Sequence, residues 1–179
     1  MGSREEERLA ELVQRHAGAV GDYLRRRLFP LASSDLDDLV GDTFVIVWRR
    51  LDVVPDGDGE RPWIIGVARH VLQNAQRARR RRQTYEGRVR PRGADHSAED
   101  VVVGTDQVRS ALESLSDGDR EVLLLSAWDG LDAAGIARVL DVTPNAAAVR
   151  LSRAAARLRA ALERDTSDLG RTRGGESDD

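Results

Sequence analysis

Apolar residues in the N-terminal half of the chain recur at three- and four-residue spacing, which is the pattern of helices with one buried face. Pro30 ends the first of these runs, and Ser33, Ser34 and Asp35 offer a cap for the second. A loop rich in Pro, Gly and Asp then leads to Pro62, a residue suited to a first helical turn. The pattern predicts three helices, over residues 5–29, 35–51 and 62–82.

Residues 83–104 lack this periodicity and combine Gly, Pro and mixed charges, which is typical of a linker. Helical spacing returns after it in shorter runs, and Gly130 separates two of them. Candidate capping residues precede the last three helices, namely Ser116, Asp132 and Thr143. The final residues have the composition of a disordered segment. The predicted fold class is therefore all-α, with two small helical modules over residues 5–82 and 105–164, a flexible linker over 83–104 and a disordered tail over 165–179.

The second predicted helix carries apolar residues on two faces. Its core stripe consists of Leu36, Val40, Phe44, Val47 and Leu51. Val45 and Ile46 lie off that stripe, beside the carboxylates of Asp38 and Asp42. A second face of this kind favours a partner-binding surface, although packing against another helix of the same chain explains it equally simply.

The segment from Leu131 to Arg159 combines a short capped helix, a turn and a longer capped helix, which predicts a helix-turn-helix motif. The longer helix has an apolar face made by Ala147, Leu151, Ala154 and Leu158. A neighbouring face carries Ala146, Arg150, Arg153 and Arg157 at the same spacing. A small residue near the helix start allows close approach to bases, and arginines reach guanine edges or phosphates. An arginine-rich solvated face is the alternative for the arginines taken alone.

The distribution of charge agrees with two DNA-contacting segments. The 179 residues have a net charge of −3, so the chain as a whole is not basic. Every cation other than His is Arg, for which a GC-rich genome is the simpler explanation. The arginines nevertheless cluster at residues 77–92 and 150–164, where phosphate contacts are expected.

Several function classes are disfavoured by what the sequence lacks. With no Cys, the chain forms no disulfide and no Cys-ligated zinc site. It has no apolar run of membrane-spanning length, and its acidic N-terminus is unlike a signal peptide. We therefore expect a soluble cytoplasmic protein without membrane insertion. No phosphate-binding Gly loop, metal-ligand cluster or triad is recognisable, so neither an enzyme nor a metal or other cofactor is expected.

The helix-turn-helix segment LDAAGIARVLDVTPNAAAVRLSRAAARLRAAL resembles the fourth conserved region of the sigma-70 family, and more narrowly of its extracytoplasmic-function (ECF) group. The preceding ALESLSDGDREVLLL resembles the lead-in to that region. The first module independently resembles the family's second region, in DLDDLVGDTFVIVWRRL and RPWIIGVARHVLQNAQRARRRR. The resemblance covers about residues 9–82 and 106–162, in the family's order. The short spacer has no room for the middle domain of larger sigma factors, which points to the ECF group.

This resemblance implies an alternative sigma factor that binds bacterial core RNA polymerase and promoter DNA and directs promoter-specific transcription initiation. It also introduces an anti-sigma factor as a candidate partner. The competing interpretation is a stand-alone helix-turn-helix transcriptional regulator, which predicts dimers and palindromic half-sites.

The resemblance also implies three sets of site residues, assigned by their position in the matched motifs. The polymerase-binding set is Asp38, Leu39, Asp42, Thr43, Val45, Ile46, Trp48 and Arg49. The set for the minus-ten promoter element is Arg61, Arg69, His70, Asn74, Arg77 and Arg80. The set for the minus-thirty-five element is Thr143, Asn145, Ala146, Arg150, Arg153 and Arg157.

Three positions depart from the family pattern. Gly41 stands where the family usually has a partner-facing Gln, and glycine weakens a helix interior. His70 occupies a usual Asn position, which leaves the base preference open. Gly135 replaces a common helix former, so we expect a less stable first helix in the helix-turn-helix motif.

Overall fold

The computed structural model describes the backbone of residues 3–28, 31–85 and 106–173, and side chains over 3–28, 31–82 and 107–164. Within these ranges the regular elements are all helical, which confirms the predicted fold class. The helices are α1 (Ser3–Arg25), α2 (Leu36–Arg49), α3 (Glu60–Tyr85), α4 (Asp106–Glu113), α5 (Asp117–Ala127), α6 (Ala133–Leu140) and α7 (Pro144–Arg173). Short 3-10 turns lie at Ser33–Asp35, Leu51–Val53 and Gly57–Gly59.

Helices α1, α2 and α3 pack against one another in pairs and form the first of two compact units. Leu12, Val20 and Leu24 of α1 and Val47 of α2 are completely buried. Burying one such aliphatic side chain stabilises a fold by about 1.5–3 kcal/mol. The core is thus supplied by the helical apolar spacing read from the sequence.

Polar contacts fix α3 against the end of α1. The side-chain amide of Gln76 donates a hydrogen bond of 3.0 Å to the Arg27 carbonyl, just beyond the last residue of α1. The Arg27 guanidinium in turn lies 4.1 Å from the centre of the buried Tyr23 ring. A cation over an aromatic face is attracted by the ring's negative charge density. These contacts locate the middle of α3 relative to α1.

Several helix ends differ from the sequence prediction. α1 ends at Arg25, four residues early, in a turn where Arg27 N donates to the Leu24 carbonyl. α3 begins at Glu60, because Pro62 is tolerated in a first turn whose N–H groups have no helical partner. α3 also continues to Tyr85, so the start of the predicted linker is helical. The rest of that linker, residues 86–104, lies outside the described residues.

The second unit contains α4, α5 and α7, with α7 packing against both of the others. The three predicted caps are confirmed. Ser116 Oγ accepts from Asp119 N at 3.2 Å, Asp132 Oδ1 from Gly135 N at 2.7 Å, and Thr143 Oγ1 from Ala146 N at 3.2 Å. Each cap satisfies a backbone donor that its helix leaves unpaired.

Two residues at helix ends adopt left-handed backbone conformations. Gly130, three residues after the last residue of α5, has φ 63°, a conformation in which glycine carries no steric penalty. Asp141 has φ 54° in the turn between α6 and α7. Asp tolerates this conformation better than most residues because its short side chain forms local hydrogen bonds.

The C-terminal end of the described chain corrects one expectation. α7 runs through Arg173, so the backbone of residues 165–173 is helical where the sequence predicts a disordered tail. Extending an existing helix adds one hydrogen bond for each residue that is fixed and requires no new nucleation step. A polar segment can therefore continue a helix that precedes it. Residues 174–179 lie outside the described residues.

Candidate functional site

The outer face of α2 is both acidic and apolar. Asp38, Asp42, Val45 and Arg49 are spaced four, three and four residues apart, so they share one side of the helix, and all are exposed. Val45 retains 43% of its accessible surface and Trp48, which flanks this side, retains 42%. Two large apolar side chains are thus exposed among charged ones on or beside this side of the helix. This side of α2, with the half-buried Ile46, is called the α2 outer face below.

Two residues of the predicted polymerase-binding set do not lie on this face. Leu39 and Thr43 are buried in the first unit, and the Thr43 hydroxyl donates a hydrogen bond of 2.7 Å to the Leu39 carbonyl. Positions 39 and 43 are one residue further round the helix than 38 and 42, which turns them toward Val47 and the core. Neither reaches a partner in this conformation, so they support the outer face from beneath.

An exposed polar strip runs along α3. His70, Asn74 and Arg77 are spaced four and three residues apart, share one side of the helix and are exposed. Arg77 Nη2 donates to Asn74 Oδ1 at 3.2 Å, so these two predicted site residues contact each other. Arg61 at the first turn and Arg80 near the far end are also exposed. Arg69 is half-buried and therefore contributes only part of its side chain to this surface.

The loop before α3 is bound to α1 by a cluster that the sequence analysis did not identify. Arg8 Nη2 contacts Asp56 Oδ1 at 2.8 Å and the Val54 carbonyl at 3.1 Å. Seven residues later on α1, Arg15 pairs with Glu60, whose same oxygen lies 3.0 Å from His16 Nε2. We name Arg8, Arg15, His16, Asp56 and Glu60 the loop anchor.

Glu60 is the central carboxylate of the loop anchor and is only 6% exposed. Burial raises the pKa of Glu60, but the hydrogen bonds from His16 and Arg15 and the charges of these two groups together lower it by more, so the pKa lies below its ordinary value. The carboxylate is thus held in its charged form at the first residue of α3, where a negative charge also interacts favourably with the helix dipole.

The start of α7 presents the face expected of a DNA-recognition helix. Thr143 caps the helix, Asn145 is exposed beside it and Ala146 is half-buried. Arg150 and Arg153 are exposed one and two turns further on. On the neighbouring face of α7, the predicted core residues Ala147 and Ala154 are completely buried, while Leu151 and Leu158 are half-buried.

Arg157, the last residue of that predicted set, binds within the protein. Its Nη1 lies 2.6 Å from Asp119 Oδ2 at the first turn of α5. The Ser116 hydroxyl also donates to this carboxylate at 2.9 Å. The hydrogen bond from Ser116 lowers the pKa of Asp119, burial opposes it, and Arg157 lowers it further. Arg157 therefore joins α7 to α5, a role that its place in the arginine row does not reveal.

Two further features position α5 and α6. Arg120 Nε donates to the Leu112 carbonyl at 2.9 Å and its Nη2 to the Glu113 carbonyl at 3.0 Å, which satisfies acceptors at the end of α4. Gly135 lies in the first turn of α6, where its N–H is bound by Asp132. A Cβ there would lie 3.3 Å from Asp132 Oδ1 and from Leu131 Cβ, so close packing gives the glycine a structural reason.

Over residues 3–28, 31–82 and 107–164, no three His, Asp or Glu side chains are grouped so as to bind a metal ion. None of the helices in the described part of the chain has the length and apolar character needed to cross a membrane.

Known proteins identify the two units. Residues 12–82 match the family model for sigma-70 region 2, and residues 105–158 match that for sigma-70, region 4. The RNA polymerase sigma factor CnrH of Cupriavidus metallidurans is 32% identical over 171 residues, covering 87% of this chain and 87% of CnrH. The chain belongs to the sigma-70 family. The sigma factor NccH of Alcaligenes xylosoxydans xylosoxydans is 29% identical over 163 residues, with 86% of each protein covered.

Solved structures agree with this assignment. CnrH in complex with the cytosolic domain of CnrY superposes on this sigma factor with a TM-score of 0.56 at 31% identity, covering 88% of each chain. RpoE of Bartonella quintana, in complex with the anti-sigma factor NepR, gives a TM-score of 0.59 and covers 90% of this chain and 98% of its own. Its 23% identity supports the fold alone.

The family assignment confirms the predicted function. This protein is an ECF-type alternative sigma factor, which binds core RNA polymerase through regions 2 and 4 and directs transcription from particular promoters. The stand-alone regulator is set aside, because a separate DNA-binding domain does not account for a matching region 2. Sigma factors are in general non-enzymatic regulators.

Proposed function

We propose that the two units divide promoter recognition between them. The first unit, over residues 5–82, binds core polymerase through the α2 outer face and contacts the minus-ten element through α3 and the loop before it. The second unit, over residues 105–164, binds the minus-thirty-five element through α7. The observation that carries this proposal is that one chain exposes an acidic, apolar α2 face and an arginine face on a capped helix.

For polymerase binding, the residues proposed are Asp38, Asp42, Val45, Trp48 and Arg49, with Ile46 at the margin. Apolar side chains supply the burial that stabilises a protein interface, and the charges around them fix orientation and raise the association rate. The exposed Val45 and Trp48 with neighbouring carboxylates suit a partner surface that is basic and partly apolar.

For the minus-ten element, we propose contacts from Arg61, His70, Asn74, Arg77 and Arg80, with a lesser contribution from the half-buried Arg69. Arginines that follow one strand neutralise its phosphates, and this term is independent of sequence. Base choice then depends on the loop before α3, where a base removed from the stack is read by hydrogen bonds to its edge.

For the minus-thirty-five element, we propose that Asn145, Arg150 and Arg153 contact the major groove, while Ala146 allows close approach and Thr143 caps the helix. Arg157 is assigned to the ion pair with Asp119 and thereby to holding α7 in place. Arginine reads guanine through two hydrogen bonds, worth about 1–3 kcal/mol against a wrong base.

An anti-sigma factor is a further partner that we propose for the α2 outer face. The support is that CnrH and Bartonella quintana RpoE were solved in complexes with CnrY and NepR. An inhibitor that covers this face would compete directly with polymerase. We also propose that the protein acts without enzymatic activity or a cofactor, in the cytoplasm, where polymerase and chromosome meet.

The proposal is tested by run-off transcription with purified core polymerase on a genomic promoter library, with and without the protein. We expect discrete starts that share two short upstream elements. Asp42→Arg should reduce both co-elution with core polymerase and these starts. Asp52→Arg makes the same charge change at an exposed position after α2 and serves as its control. Normal co-elution of the Asp42 variant would exclude the α2 outer face as the docking surface.

A further inference from the structure

The end of the loop between α2 and α3 carries Asp56 and Asp58, and Glu60 follows as the first residue of α3, so three carboxylates lie in a segment proposed to be near DNA. Free carboxylates repel phosphates unless they accept hydrogen bonds from other groups. In this protein Glu60 is buried and paired with Arg15 of α1. Asp56 is paired with Arg8 of α1 although its side chain remains 88% exposed, and Asp58 is exposed. The loop is therefore bound at both ends, with an exposed carboxylate between them.

The contacts of the loop anchor select one conformation of the loop. Arg8 binds both a side chain and a backbone carbonyl, at Asp56 and Val54, so it fixes the chain path as well as the charge. Arg15 and His16 meet at a single oxygen of Glu60, the first residue of α3. Because positions 8 and 15 are seven residues apart, both arginines extend from the same side of α1.

We propose that the loop anchor is a specificity-determining element, in which α1 positions the loop over 54–60 for minus-ten recognition. Its residues act as positioning residues and need not touch DNA. A loop fixed before DNA arrives avoids ordering on binding, and it excludes conformations that would accept other bases. The inference rests on the proposed role of this loop in the minus-ten interaction.

The test measures base selectivity with reconstituted holoenzyme. Run-off transcription is compared between the best promoter of the library and its single-base minus-ten variants, for wild type, Arg8→Gln and Glu60→Gln. Arg25→Gln is the matched control, because Arg25 also forms an ion pair on α1, with Asp22, and makes no contact with the loop. Thermal unfolding and co-elution with core polymerase are measured for every variant.

We expect Arg8→Gln and Glu60→Gln to reduce the ratio of matched to mismatched transcription by about threefold or more, because a loop that is no longer held in one conformation accepts wrong bases more readily. Polymerase co-elution and dependence on the minus-thirty-five element should stay at wild-type levels. His16→Gln, which keeps a donor for Glu60, should retain more selectivity than His16→Leu. This rescue separates positioning from a general loss of stability.

Wild-type selectivity in a folded Arg8→Gln and a folded Glu60→Gln would overturn the inference. If the buried Glu60 variant does not fold, the half-exposed Arg8 variant decides the question alone. A failure of the proposed function would give a different result. If the loop has no role in minus-ten recognition, substitutions in the loop itself, such as Asp58→Asn, would also leave the wild-type minus-ten preference unchanged.

Discussion

Arg150 and Arg157 lie on the same face of α7, but Arg157 is paired with Asp119, whereas Arg150 is exposed on the face proposed to bind DNA. Alanine substitutions at the two positions should therefore have different effects on stability and on DNA binding. Arg157 is paired with Asp119 at 2.6 Å, and its side chain remains 60% exposed. An ion pair this exposed contributes about 0.2–1 kcal/mol. We therefore expect Arg157→Ala to lower the free energy of unfolding of the second unit by that amount, with a small indirect loss of DNA binding.

Arg150 is exposed on the recognition face, and its substitution should change DNA binding instead. Arg150→Ala should weaken the minus-thirty-five interaction by about 1–3 kcal/mol, which is roughly 5- to 150-fold. Its free energy of unfolding should stay within about 0.5 kcal/mol of wild type, as for other surface substitutions. Arg159→Ala, exposed on the other side of α7, controls for the loss of one positive charge.

Urea unfolding followed by circular dichroism measures the first effect, and run-off transcription on promoters with an intact or scrambled minus-thirty-five element measures the second. A double-mutant cycle with Asp119→Asn isolates the ion pair, and we expect a coupling free energy below about 1 kcal/mol. The reasoning is refuted if Arg157→Ala unfolds like wild type and loses minus-thirty-five dependence as fully as Arg150→Ala.

Four substitutions test other parts of the molecule. Glu60 has a depressed pKa in the folded state, so its charge stabilises the protein at pH values above the ordinary glutamate pKa of about 4.3. This stabilisation is lost as the pH falls through the folded-state pKa. The difference in unfolding free energy between wild type and Glu60→Gln should therefore shrink over that range in urea titrations at successive pH values. Thr43→Val should lower the unfolding free energy by about 0.5–1.5 kcal/mol through its lost hydrogen bond and leave polymerase co-elution unchanged. Trp48→Ala should lower polymerase co-elution and leave the unfolding free energy unchanged. Equal losses of co-elution in both variants would contradict the assignment of Thr43 to the core. Gly41 is exposed, and a Cβ added there would meet no other atom within 4 Å, so Gly41→Ala should raise the free energy of unfolding of the first unit by about 0.5–1 kcal/mol. A decrease in urea unfolding would mean that the glycine is required at this position.

The features that the sequence predicted well are local ones. Ser116, Asp132 and Thr143 cap helices because each needs only a backbone donor two or three residues ahead, and that spacing is visible in the sequence. The apolar repeats likewise predicted buried positions such as Phe44 and Val47. Patterns within one helix are sufficient for inferences of this kind.

Contacts between helices were not predictable in the same way. Arg15 and Glu60 are 45 positions apart and Arg157 and Asp119 are 38 apart, so pairing depends on helix packing that periodicity does not specify. Leu39 shows a related difficulty, because a shift of one residue round a helix separates the core from the surface. The candidate surfaces were thus proposed from motifs within single helices, whereas the ion pairs that join one helix to another became visible only in the structure.

The length of α3 gives the loop anchor a mechanical consequence. This single helix of 26 residues is about 39 Å long at 1.5 Å per residue, and it has the anchored Glu60 at one end and the run of arginines toward the other. If a helix of that length tilts as a rigid body by about 5° about one end, the other end moves by roughly 3 Å. The loop and the arginines that we propose for the minus-ten element are therefore joined by one helix, and a small change beside α1 is amplified at its far end.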